Sequence, residues 1–140
     1  MNYKLLEEQD LKLMLDFVDD ENTQYKIEDL TKYINNENSY GFIAKLNNKI
    51  VGFATTYMLL KPDGRRVLYL DTIDVMPEYQ GKGYGTKLIS FVCEFGKSIN
   101  CYKMYLITNK SNISACKCYE KAGGISKAQD EIVYVYNLEK

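Results

Sequence analysis

Between a strand-like and a helix-like segment, the chain reads Val75-Met76-Pro77-Glu78-Tyr79-Gln80-Gly81-Lys82-Gly83-Tyr84-Gly85-Thr86, with three alternating glycines. Residues 67 to 75 are rich in β-branched and aromatic side chains, which favours a strand. Apolar residues from Leu88 to Ile99 recur at helical spacing. Amides at a helix start lack intrahelical acceptors, and glycine lets a phosphate approach the backbone closely. The stretch therefore predicts an anion-binding loop.

Two common phosphate-binding loops do not fit this spacing. A dinucleotide fingerprint, G-x-G-x-x-G, requires a glycine where Thr86 stands. A Walker loop ends in Gly-Lys-Ser/Thr, whereas Gly85 is followed by Thr86 and Lys87. Neither nucleotide-binding family is predicted.

The stretch instead resembles the pyrophosphate-binding signature of the GNAT superfamily of acetyl-CoA-dependent N-acetyltransferases. That signature, Q-x-x-G-x-G, corresponds to Gln80 through Gly85, and a V-x-P-x-Y lead-in corresponds to Val75 through Tyr79. Asn112 through Gly123 is similar to a second family pattern, N-x-x-A-x-x-x-Y-E-K-x-G. The resemblance covers roughly residues 40 to 138. Gly124 departs from it, because the family usually has a large apolar residue there.

Composition limits the class of protein. With 140 residues, 46% of them hydrophobic, the chain is long enough for one core, and a single domain spanning residues 1–140 is predicted. A formal net charge of -1 gives no general basic field, so no nucleic-acid partner is expected. No signal peptide and no apolar run of bilayer length is recognised, so we expect no membrane partner and a cytoplasmic location.

The reactive residue types argue against two further classes. The four cysteines have no zinc-site spacing, and the chain contains no histidine. No metal site and no hydrolase triad is therefore expected. The favoured interpretation of the cysteines is reduced, packed thiols; a covalent acyl-cysteine route is the minor alternative.

Periodicity predicts an α/β (α+β) layout. The resemblance implies the GNAT fold, a mixed, mostly antiparallel sheet of about six to seven strands with a central splayed parallel pair, flanked by about four helices. Predicted strands are residues 2 to 6, 40 to 46, 50 to 60, a strand ending at Val75, a short buried strand at Met104 to Thr108 and a closing strand at Ile132 to Tyr136. Predicted helices carry Leu11, Met14, Leu15 and Val18; Ile27, Leu30 and Ile34; Leu88 to Ile99; and Tyr119.

The resemblance also implies a binding site for acetyl-CoA as co-substrate. The splay would separate the strand ending at Val75 from the strand at 104 to 108, leaving backbone near Ile73, Asp74 and Val75 to pair with pantetheine. The pyrophosphate would bind the loop residues Gln80, Gly81, Lys82, Gly83, Tyr84, Gly85 and Thr86. Asn112 either contacts pantetheine or a bound water, or caps its helix.

Three residues are candidates for catalysis. Tyr119 would protonate the departing thiolate, the alternative being a packed tyrosine. Asp71 and Asp74 would hold a cationic amine and accept its proton. In an unbroken strand they face opposite sides. The resemblance implies a bulge in this strand, and a bulge between these two residues would turn both to one side. The alternative is that they are edge charges that keep the sheet soluble.

The implied reaction is direct transfer of an acetyl group to a primary amine. Residues 57 to 62 and 69 to 72 resemble the corresponding part of aminoglycoside 3-N-acetyltransferases, and the acidic residues Glu7, Glu8, Asp19, Asp20 and Glu21 would suit a polycationic small molecule. Alternatives are a protein, peptide or polyamine acceptor, or a non-catalytic acyl-CoA sensor. The closing strand at Ile132 to Tyr136 is a candidate homodimer surface, and burial within the monomer explains it equally well.

Overall fold

The computed structural model describes residues 1–126 and 130–139. Within these ranges five strands form one sheet: β1 (Asn2–Leu5), β2 (Ser39–Leu46), β3 (Lys49–Leu60), β4 (Arg66–Val75) and β5 (Cys101–Tyr105). The α-helices are α1 (Leu11–Met14), α2 (Ile27–Asn35), α3 (Tyr84–Ser98) and α4 (Ile113–Lys121), and short 3-10 helices cover Glu8–Asp10 and Pro77–Tyr79. None of these helices is long and apolar enough to cross a membrane.

The sheet is mixed and mostly antiparallel. Its strand order is β1-β2-β3-β4-β5, and β4 and β5 are its parallel pair. One core cluster, including Phe17, Leu30 and Phe53, packs under α1 and α2. A second cluster, including Leu68 and Leu88, packs under α3 on the other face. The GNAT-like fold class is therefore confirmed.

Strands β4 and β5 separate as predicted. Their parallel ladder runs from Arg66 to Tyr69, where Tyr69 is opposite Tyr105. β4 continues to Val75, whereas β5 ends at Tyr105. From Leu70 onward, the edge of β4 that faces β5 has no partner strand in the described part of the chain. A strand edge of this kind can pair with an extended ligand.

Two predicted strands differ from the structure. Residues 132 to 136 form no strand and are exposed, so the described sheet has five strands rather than six to seven. The short parallel strand is Cys101–Tyr105 rather than 104 to 108, and most of its side chains are exposed rather than buried. Its earlier start follows from Asn100, whose φ of 65° reverses the chain directly after α3.

The first helix is shorter than its apolar pattern predicts. It ends at Met14, and Leu15 and Val18 are exposed. Phe17 enters the core instead and is 2% exposed, with its ring 6.0 Å from that of Phe53. The predicted stripe is confirmed for Leu11 and Met14, which are buried, and is wrong for Leu15 and Val18, because the chain leaves the helix after Met14.

Candidate active site

The glycine loop presents a row of backbone donors. Helix α3 begins at Tyr84, after Gly83 with φ +85°, and Gly81 has φ +76°. Both values favour glycine, and a Cβ at either position would meet nothing within 4 Å. The first helical bond runs from Lys87 N to Gly83 O, at 3.1 Å. Within the described residues, the amides from 81 to 86 donate to no backbone carbonyl, so they remain available to an anion.

Gln80 and Gly85 serve the structure of the loop. The side-chain amide of Gln80 donates to the carbonyl of Val75 at 2.8 Å and ties the loop to the end of β4. A Cβ on Gly85 would lie 3.2 Å from Cys118 Sγ, which is tight. Cys118 also lies 3.4 Å from Thr86 Oγ1. Glycine at position 85 therefore lets α4 pack against the start of α3.

Two lysines flank the loop. Lys82 Nζ is 5.7 Å from the centroid of the Tyr79 ring, and Lys49 Nζ is 5.4 Å from the same centroid. Lys49 also pairs with Glu78, Nζ to Oε1 at 3.6 Å. Sequence reasoning missed Lys49 because it is the first residue of β3, far from the loop in sequence, and only the folded sheet brings it beside the loop.

The expected bulge is present in β4. Thr55 pairs with Thr72 and Thr56 pairs with Leu70, so Asp71 has no partner on β3. One extra residue between Leu70 and Thr72 reverses the alternation of side chains beyond it. Asp71 and Asp74, three residues apart, are therefore brought to the same face, the one that carries α2.

Asp74 is unusually basic. Burial raises its pKa to about 6, with further contributions from the charges of Asp19, Asp20 and Glu21. Those three residues belong to the loop between α1 and α2. Glu7, by contrast, pairs with Lys4, at 3.1 Å. The loop acids, rather than Glu7, thus supply negative potential around Asp74.

Hydrogen bonds fix Asp19 within this loop. Its carboxylate accepts from Thr23 N at 2.9 Å, Glu21 N at 3.0 Å and Tyr25 Oη at 3.3 Å. Burial raises the pKa of Asp19, but these hydrogen bonds prevail and leave it below its usual value. Asp19 therefore stays ionised near neutral pH while Asp74 titrates close to it.

We expect Asp74→Asn to stabilise the protein by about 1 kcal/mol near neutral pH. A pKa raised from 3.8 to about 6 means that the folded state holds the proton more tightly, so wild-type stability falls as pH rises through that window. At full burial the shift corresponds to about 3 kcal/mol, which solvent screening at this half-buried carboxylate reduces. Thermal melts at about pH 7.5 and about pH 3.5 test this, because the gain should vanish at the lower pH. An equal gain in stability at both pH values would contradict this prediction.

Tyr119 borders a small cleft where β4 and β5 separate. Asp71, Ile73 and Ile107 also line it. Tyr119 is half buried, and its pKa is raised by burial first and then by the neighbouring Cys118 and Asp74, against a hydrogen bond with Thr108. Its phenol therefore keeps its proton at neutral pH.

The end of α4 explains why Gly124 departs from the family pattern. Gly123 has φ +96° and donates to Glu120 O at 2.9 Å, while Gly124 N donates to Tyr119 O at 2.9 Å. These bonds form a Schellman motif. A Cβ on Gly124 would lie 2.9 Å from the Tyr119 carbonyl oxygen, so a side chain there requires a shift of the helix end.

Asn112 caps α4. Ala115 N donates to its Oδ1 at 3.3 Å, and Ser114 Oγ lies 3.4 Å from the same oxygen. The helix-cap interpretation of Asn112 thus has direct geometric support.

A mixed sheet with a splayed parallel pair, beside a glycine loop at a helix start, defines the class of acyl-CoA-dependent acetyltransferases. The family model "Acetyltransferase (GNAT) family" matches residues 7–124, and the chain belongs to that family.

The relatives are acetyltransferases with different acceptors. The chain is 32% identical over 82 residues to thialysine N-epsilon-acetyltransferase of Mus musculus, covering 59% of this chain and 48% of that protein. It is 42% identical over 52 residues to spermidine N(1)-acetyltransferase of Escherichia coli (strain K12), covering 36% and 28%. The chain thus matches about half or less of the length of these curated relatives.

One solved structure extends the likeness to the whole fold. An aminoglycoside acetyltransferase from an uncultured soil metagenomic sample, in complex with sisomicin, superimposes with a TM-score of 0.83. The alignment covers 99% of this chain and 96% of that chain at 24% identity.

Proposed function

We propose that this protein transfers an acetyl group from acetyl-CoA to a primary amine of a small cationic molecule. The observation that best supports this function is the bulge in β4. It lies where the open edge of β4 meets a face that carries Asp71, Asp74 and the acidic loop at Asp19. A phosphate-bearing thioester can therefore enter the cleft along the open edge of β4, and a cationic amine can enter it from the acidic face.

The residues fit acetyl-CoA. The unpaired amides from 81 to 86 form a cradle that a Cβ at Gly81 or Gly83 would partly fill, and Lys82 and Lys49 add positive charge beside it. The backbone of Ile73, Asp74 and Val75 lies on the unpartnered edge and can pair with the amides of pantetheine. Acetyl-CoA supplies the acetyl thioester.

Asp74 accepts the proton of the incoming ammonium. An ammonium must become a neutral amine before its nitrogen can form a bond to the acetyl carbon. A carboxylate whose pKa is about 6 is ionised at neutral pH, yet is basic enough to take up that proton and pass it to water. Asp71, on the same face, adds negative charge that attracts a cationic acceptor to the cleft.

Tyr119 supplies the second proton. As the carbon–sulfur bond breaks, negative charge develops on sulfur, and a phenol that keeps its proton can donate it there. The nitrogen loses its second proton as the amide forms, and a proton taken up from solvent restores the phenol. The backbone amides at the bulge are donors for the developing oxyanion. Asn112 acts through the helix, by fixing the start of α4.

Calorimetric titration with acetyl-CoA, beside free CoA, tests the proposal, followed by thiol-release assays with polyamines, aminoglycosides and a lysine peptide. Micromolar binding together with release that depends on the amine supports it. Binding without release from any amine indicates an acyl-CoA sensor instead. No binding at millimolar ligand contradicts the proposal. A cytoplasmic location and a homodimer remain predictions.

We expect the rate to depend on an acidic group with an apparent pKa of about 6. In wild type, kcat should fall as pH drops through this value, because protonated Asp74 cannot accept the ammonium proton. In Asp74→Asn, kcat should fall about tenfold at neutral pH and lose this limb. Asp63→Asn is the matched control, since Asp63 is exposed in the β3–β4 turn and pairs with Arg65. If kcat of Asp74→Asn still falls as pH drops through about 6, Asp74 is excluded as the base.

A further inference from the structure

A row of tyrosines crosses the sheet beside Asp71. Tyr57 on β3 pairs with Tyr69 on β4, and Tyr69 is opposite Tyr105 on β5. The rings of Tyr69 and Tyr105 lie 4.9 Å apart. We call Tyr57, Tyr69 and Tyr105 the tyrosine row. Because cross-strand partners share a face, the row lies on the face that carries α2.

Helix α2 adds a fourth ring. Tyr33 meets Tyr57 edge to face, with centroids 5.7 Å apart. Its hydroxyl lies 2.9 Å from the carbonyl oxygens of both Tyr40 and Thr56, which share its single proton, and it accepts from Thr56 N at 3.0 Å. These bonds fix the position of the Tyr33 ring, and Tyr33 in turn restrains the Tyr57 ring against which it packs.

Asp71 faces this aromatic surface. It is the bulged residue directly beyond Tyr69, it is exposed, and it borders the cleft that contains Tyr119. Its charge contributes to raising the pKa of Tyr33, Tyr57 and Tyr69, in each case after burial. The charge of one carboxylate thus acts on three tyrosine side chains, which lie on two strands and a helix.

This combination recognises a particular chemistry. The faces of tyrosine rings attract cations, and a carboxylate beside them adds direct charge pairing. An aliphatic chain would gain nothing from Asp71, and an anion would be repelled by it. A neutral sugar could donate hydroxyl hydrogen bonds to Asp71 but would gain no charge pairing. The surface suits an ammonium group.

We propose that Asp71 and the tyrosine row bind a second ammonium group of the acceptor, so that the preferred substrate is a small molecule with two ammonium groups. The inference rests on the proposed function. Asp74 receives the reacting amine, whereas Asp71 and the row hold the distal one. Asp71 and Asp74 are three residues apart along β4, or roughly 10 Å at most, a distance that a flexible diamine can bridge.

The test compares amines that differ only in the second charge. Thiol release is measured for α,ω-diamines from diaminopropane to diaminooctane and for the n-alkylamines of the same lengths. We expect kcat/KM to favour the best diamine about tenfold over its monoamine, beyond the statistical factor of about two, with the gain mainly in KM. The same series run with an aminoglycoside and a linear polyamine distinguishes rigid from flexible polycations.

Variants locate the second subsite. Tyr57→Leu and Tyr69→Leu should each reduce the diamine preference about threefold, because leucine keeps apolar bulk but has no π face. Tyr57→Phe should retain the preference. Asp71→Asn should reduce it about fivefold while keeping the acidic limb of the pH profile that belongs to Asp74. The control is Tyr102→Leu, a half-exposed ring on β5 that contacts Arg65 and Lys103 instead.

Each outcome has a distinct reading. Equal kcat/KM for diamines and monoamines overturns the second subsite and leaves the proposed function standing. A loss in Tyr102→Leu as large as in Tyr57→Leu also overturns it, because the effect would then not be local. No thiol release with any amine defeats the proposed function, and this inference with it.

Discussion

Gly83→Asp is expected to weaken acetyl-CoA binding at least about 100-fold. Gly83 precedes α3 in a left-handed conformation, with free amides following it. Aspartate tolerates this conformation better than most residues, and at a helix N-cap its carboxylate accepts from the following amides. The side chain would therefore occupy the cradle with its own negative charge. Losing two charge-assisted hydrogen bonds to phosphate costs about 3 kcal/mol or more, which corresponds to at least about 100-fold.

Gly64→Asp is the control for this variant. Gly64 has φ +88°, close to the +85° of Gly83, and a Cβ there also meets nothing within 4 Å. It lies in the β3–β4 turn, away from the loop. Both variants add the same charge and similar backbone strain, so calorimetry should show near wild-type acetyl-CoA affinity for Gly64→Asp only. Equal affinities for the two variants would rule out the glycine loop as the phosphate site.

Local signals explain which parts of the fold the sequence predicted. The glycine loop and α3 follow from backbone requirements at Gly81 and Gly83 and from apolar spacing in the next turns, all within a few residues of chain. The helix that carries Tyr119 was found in the same way, through a motif with a capping Asn112. Helix α1 was overextended because periodicity does not register that the chain leaves the helix after Met14.

Nonlocal geometry explains what was missed. The tyrosine row depends on the registers of β3, β4 and β5, and a shift of one residue would move Tyr69 to the opposite face. Lys49 reaches the phosphate loop only because the β2–β3 turn folds beside it. The bulge at Asp71 was anticipated through the family resemblance, since the residues themselves do not reveal where one strand gains an extra member.

Tyr119→Phe is expected to lower kcat about 100- to 1000-fold while acetyl-CoA affinity stays within about twofold. Phenylalanine keeps the ring that packs against the α3-side cluster and removes only the hydroxyl. The fold should therefore survive, while the proton for the departing sulfur is lost. Tyr102→Phe is the matched control, because it removes a hydroxyl that lies 3.4 Å from Arg65 at the other end of the sheet.

The leaving group separates catalysis from packing. If Tyr119 protonates sulfur, the defect should shrink with an acyl donor whose thiol has a lower pKa, since a better leaving group needs less protonation. A packing role would lower the rates of both donors equally. The raised pKa of Tyr119 adds a second criterion, because wild-type kcat should show no loss from ionisation of this phenol at neutral or mildly alkaline pH. If Tyr119→Phe has wild-type kcat on acetyl-CoA, Tyr119 does not protonate the departing sulfur. Water would then supply that proton, and Tyr119 would only pack in the core.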